Sequence, residues 1–150
     1  MMTEFRKQCN RPPQFHHGSI EELVAKFGRE YQWKPRPKRI AAGPAKHCFY
    51  NSYRLASKHR RCLIYVEGYA LLKDILFPIH HAWVVHRKSG DVIDVTSDGF
   101  SVYHGIPFRL AYVEQRWKEF PDGVSLLDGW EHGWPMLKMT DAEINDVIEH

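Results

Sequence analysis

Apolar and polar positions change period along the chain, and the changes mark out its elements. Ser19 precedes Ile20, Leu23, Val24 and Phe27 at helical spacing, and Ser19 with Glu22 has the form of a capping box. The spacing predicts a first helix over residues 19–31. Pro35 and Pro37, set among Lys34, Arg36, Lys38 and Arg39, stop it and favour an extended basic connector. Gly43-Pro44 opens a second helix that runs to about residue 58, with Phe49, Tyr53 and Ala56 on one face and Cys48 near its start. Residues 1–18 carry Pro12, Pro13 and Gly18 without periodicity and read as an extended arm.

The middle of the chain turns to strand chemistry. Residues 62–70 and 79–86 are rich in β-branched and aromatic side chains, and a turn over 87–90 leads into residues 91–96 to complete a hairpin. A loop with Gly99, a short element at Val102-Tyr103 and a turn around Gly105-Ile106-Pro107 follow, while residues 109–120 fit a helix or a strand. Glycines and tryptophans punctuate 123–135, and Thr140 with Glu143 forms a second capping box before a short acidic helix. Two helices followed by antiparallel strands is an α+β order, and 150 residues suit one domain.

Composition narrows the classes. A 43% apolar content with both signs of charge interspersed excludes disordered, collagen-like and coiled-coil chains. The net charge of +3 has its local excess in 34–39 and 58–61, which permits a nucleic-acid partner without requiring one. Cys9, Cys48 and Cys62 leave one thiol unpaired under any disulfide scheme, and there is neither an apolar leader nor a membrane-length run. The expectation is a cytoplasmic protein without a membrane partner.

Cys48 stands where a helix start favours a thiolate and where its own amide can donate to an oxyanion. Alternation puts Ile79, His81, Trp83 and Val85 on one strand face, and Asp94 lies between Ile93 and Val95, where a buried carboxylate needs a donor. A four-residue loop over 87–90 sets Trp83 opposite Asp94 and leaves Asp94 diagonal to His81 on the same face. A three-residue loop flips the parity and sets Asp94 beside His80. Hairpin geometry alone admits both.

The succession of Cys48-Phe49, the strand at 65–69, His81-Ala82-Trp83-Val84 and Val92-Ile93-Asp94-Val95-Thr96 resembles the transglutaminase-like branch of the papain-like enzymes. The resemblance covers residues 43–108 and singles out His81, the histidine that Ala82 and Trp83 follow. It departs from the family at Val95, where proline is usual, and before Cys48, where no Gly-x-Cys occurs. It implies a nucleophile helix packed on a small antiparallel sheet. Cys48 would attack an amide, thioester or ester carbonyl of a protein or small-molecule substrate, with His81 moving the proton, Asp94 orienting the ring, and no metal or cofactor. Asn51, Ser52, Glu67 and Trp83 are secondary candidates for lining the site.

Three rival readings are weighed beside it. Cys48, His80, His81 and His86 supply zinc-type ligands, but in no recognised zinc spacing. The fold, without use of the thiol, also suits a protein- or nucleic-acid-binding module with the basic connector as its surface. Trp117, Trp130, Trp134 and His132 offer a third possibility, a ligand-binding rim.

Overall fold

The structure, a computed structural model, describes residues 14–75, 77–121 and 125–150, so Cys9 and most of the expected N-terminal arm lie outside the described residues. Helices α1 (Ile20–Phe27), α2 (Cys48–Lys58), α3 (Leu110–Glu119) and α4 (Asp141–Val147) accompany strands β1 (Arg29–Gln32), β2 (Leu63–Leu72), β3 (Pro78–His86), β4 (Val92–Ile93) and β5 (Phe100–Phe108). The strands form one antiparallel sheet in the order β1-β5-β2-β3-β4, giving a mixed α+β architecture. No helix among the described residues is long and apolar enough to cross a membrane.

Strand alternation divides the core. Tyr65, Ala82, Val84, Ile106 and Phe108 face the helices, where Leu23, Val24, Cys48, Ala56, Val113 and Ile144 join them. Val66, Ala70, Trp83, Val85, Val92, Phe100 and Tyr103 form a second cluster on the other face, covered by Tyr31 and Trp33. The β3–β4 hairpin has the four-residue loop: Val84 pairs with Ile93, Val85 with Val92, and the His86 amide donates to Asp91 O at 2.9 Å. Gly90 closes the loop at φ 74°, in the left-handed region.

Three expected elements differ. The first helix ends at Phe27, not near 31, because residues 29–32 pair with β5 and turn Tyr31 edge-on to Trp83. The second helix starts at Cys48 and not at Gly43-Pro44. Lys46 is left-handed at φ 66°, and Pro44 O is taken by the Asn51 side chain at 2.9 Å. The expected turn at 105–107 is the interior of β5. Pro107 lies past the end of β1, which pairs only as far as Gly105, so its missing amide hydrogen deprives no neighbour strand on that side. Residues 109–120, open between helix and strand, are helical in α3. The Thr140 capping box is complete, while Glu22 reaches past Ser19 to the Gly18 amide.

Gly68 and Gly105 face each other across β2 and β5. Neither is a turn; both provide clearance. A methyl on Gly105 would stand 2.7 Å from Trp83 Cη2 and 2.8 Å from Glu67 O, and one on Gly68 would stand 2.4 Å from Gly105 Cα. With Ala70 they form a shallow trough in which Trp83 and Tyr103 pack at a centroid distance of 4.9 Å. Gly105→Ala should therefore lower stability by about 1–3 kcal/mol through overpacking. Thermal unfolding checks this, and an unchanged midpoint would contradict the close approach.

Candidate functional site

Asp94 is held by the backbone that follows it. β4 ends at Ile93, and the amides of Thr96 and Ser97 donate to Asp94 Oδ1 at 2.9 and 3.0 Å, forming an aspartate-stabilised turn. The other oxygen, Oδ2, takes His81 Nε2 at 2.7 Å and the Tyr103 hydroxyl at 2.9 Å. Both lone-pair sets are thus used, as a buried carboxylate requires.

Cys48 is positioned by the same turn. Asn51, one turn along α2, donates from Nδ2 to Pro44 O at 2.9 Å and to Thr96 Oγ1 at 3.0 Å, while the Gly43 amide donates to Val95 O at 2.7 Å. Gly43 has no room for a side chain, since a Cβ there would lie 2.5 Å from Asn51 Cγ. The segment before the thiol and the segment after the carboxylate are clasped together. α2 begins at Cys48 with no acidic residue in its first turn, so the positive end of its dipole is not neutralised there.

The imidazole lies between the two. β4 pairs only Val84 and Val85 of β3, which leaves the strand edge open beside His81. There the ring of His81, on the aromatic face, comes near enough to Cys48, on the helix face, for the thiol to influence its protonation. Burial alone would lower the His81 pKa; hydrogen bonding to Asp94 and Cys48, together with their charges, outweighs it and raises the value to about 9. Asp94 is pulled the other way: burial would raise its pKa, but His81 and the amides of Thr96 and Ser97 hold it below the usual carboxylate range. With Nε2 committed to Asp94, Nδ1 is the nitrogen left for the thiol. Phe100 at 4.6 Å and the near-parallel Trp83 at 6.1 Å fix the ring plane. Cys48, His81 and Asp94 are 8%, 4% and 3% exposed.

The secondary candidates take distinct places. Asn51 is the clasp. Ser52 is fully buried, and its hydroxyl has no hydrogen-bond partner. Trp83 packs beside His81, its indole nitrogen likewise unpartnered. Glu67 points to the helix face and is saturated by donors from Tyr65, His80, Ser125, Leu126 and Leu127. His80, the alternative partner for Asp94, bonds Glu67 instead at 3.1 Å and packs on Phe49.

The rival readings find less. Among the described residues no three of histidine, cysteine, aspartate and glutamate form a metal-holding group. Of the rim candidates, Trp117 stacks on Tyr53, Trp134 meets Phe15, His132 stacks on Phe120, and Trp130 is exposed. The basic connector contributes Arg36, whose guanidinium donates to Ile40 O at 3.1 Å and Asp94 O at 3.3 Å. Tyr103 carries no signal in the sequence, because the turn expected at Gly105 to Pro107 hides the alternation that aligns it with Trp83.

Comparison with protein-family models, curated proteins and solved structures finds no match to this chain.

The raised pKa of His81 has a consequence for stability. Above about 6.5, the ordinary histidine value, the unfolded chain has released a proton that the folded chain keeps, so stability falls as pH rises towards about 9. The contribution is whole below 6.5 and down to the acid range where Asp94 protonates. Denaturant unfolding at pH 6, 7.5 and 9 should show the decline in the wild type and a flatter profile in His81→Gln.

Proposed function

We propose that this chain is a cysteine-dependent acyl-transfer enzyme of the transglutaminase-like, papain-like kind, acting on an amide, thioester or ester. One observation carries the reading: a buried imidazole that bonds a carboxylate at 2.7 Å through one nitrogen and lies within electrostatic reach of a helix-start thiol. Resemblance in sequence alone would not suffice, since one scaffold supports many activities.

In this mechanism His81 already holds the proton of Cys48 as an imidazolium, in line with its raised pKa, and the paired thiolate attacks the substrate carbonyl. The Cys48 amide, at the first turn of α2, donates to the developing oxyanion. His81 then protonates the leaving group, and water or an amine, deprotonated by the neutral ring, releases the acyl group from sulfur. Asp94 holds the ring so that Nε2 keeps its proton and Nδ1 faces the thiol. Substrates are acyl-bearing proteins or small molecules. The free, exposed Cys62 fits a reducing, cytoplasmic setting.

A second reading rests on the near-complete burial of Cys48: a fold that has kept the constellation for structure and serves as a protein- or nucleic-acid-binding module. Iodoacetamide separates the two. At pH 6 an ordinary thiol is only about 0.3% ionised. The enzyme reading expects Cys48 to be alkylated at least ten-fold faster than Cys62, with the advantage lost in His81→Ala and reduced at least ten-fold in a folded Asp94→Asn. Peptide masses measured over time decide it, and a Cys48 no faster than Cys62 sinks the enzyme reading.

A further inference from the structure

Tyr103 is fully buried on β5, two strands away from β3, yet its hydroxyl reaches Asp94 Oδ2 at 2.9 Å. It crosses β2 where that strand carries only Gly68 and Ala70 on this face, lying over the trough with its ring 4.9 Å from Trp83 and 6.0 Å from Phe100. A phenol with so little freedom could satisfy its hydroxyl in many ways. Here it donates to the very oxygen that His81 uses.

We infer that Tyr103 is a positioning residue that regulates how strongly Asp94 holds the protonated ring of His81. This rests on the acyl-transfer reading of the same site. The phenolic O–H donates to Oδ2 and so withdraws charge from the oxygen that His81 contacts. Asp94 thereby orients the ring without trapping its proton, which must be given up at the leaving-group step. Among the described residues the charged and titratable groups around His81 are few. They are Asp94 beyond β4, Cys48 on α2, Tyr103 on β5, and, further out, Arg36 on the Asp94 carbonyl with Asp98 beside it at 3.5 Å. Among the described residues only Tyr103 donates a side-chain hydrogen bond to the shared oxygen alongside His81.

Tyr103→Phe keeps the ring and removes the donor. The imidazole signal of His81, assigned by its loss in His81→Gln, should titrate at a midpoint about half a pH unit or more above wild type. Val92→Ala, in the same aromatic cluster but without a hydrogen bond to the site, is the packing control. It should lower the unfolding temperature and leave the midpoint in place. If Tyr103→Phe lowers the unfolding temperature while the His81 midpoint stays at the wild-type value or falls, Tyr103 is a packing residue and the inference is overturned. Iodoacetamide labelling of the wild type keeps the two ideas apart. Selective labelling of Cys48 with an unmoved midpoint overturns only the role of Tyr103, whereas unselective labelling overturns the acyl-transfer reading beneath it.

Discussion

Asp94 is a carboxylate sealed from water, and its charge is tolerable only because four donors converge on it. Each donor constrains a different part of the molecule. The amides of Thr96 and Ser97 shape the turn after β4, His81 ties in β3, and Tyr103 ties in β5 across the strand between. The clasp through Asn51 then brings α2 and Cys48 to the same turn. Hydrogen bonds to a charged, desolvated acceptor are among the stronger ones a protein makes, so the local geometry has little slack.

Glu67 is a second buried carboxylate, and the contrast is instructive. It too is saturated, but its donors include the backbone of Leu126 and Leu127 and the hydroxyls of Tyr65 and Ser125, and its histidine, His80, is partly exposed. Burial would raise its pKa, yet His80, Ser125 and Leu127 hold it below the usual value. Adjacent histidines on β3 thus face opposite sides of the sheet, one fastening the chain near 125–127 and the other lying near Cys48. The pleat of the strand is what separates the two roles.

Much of this was readable from sequence where the signal was local. The presence of the hairpin, the Thr140 cap and the helical spacing of Leu23, Val24 and Phe27 follow from short-range rules, whereas the loop length that sets Asp94 diagonal to His81 was open between three and four residues until the strand pairing fixed it. What escaped depends on contacts far apart in the chain. Arg29 to Gln32 became a strand because β5 offered an unpaired edge, against the helical continuation that the residues before them suggested. Gly105 and Pro107 looked like turn residues, but one gives clearance beneath Trp83 and the other sits beyond the last β1 pair. Tyr103 went unnoticed for the same reason. Its role arises from the order of the strands, which pair residues more than thirty positions apart and which no window of sequence displays.

The Asn51 clasp also bears on the order in which the molecule becomes itself. Its bond to Pro44 spans seven residues and its bond to Thr96 spans 45, so the first can close early and the second only after the hairpin has formed and docked. Tyr103 adds a still later requirement, the seating of β5 against β2. A chain emerging from synthesis or from denaturant would therefore regain helix and hairpin before its sulfur, imidazole and carboxylate came together. During that interval Cys48 would lie apart from the side chains that surround it in the finished fold.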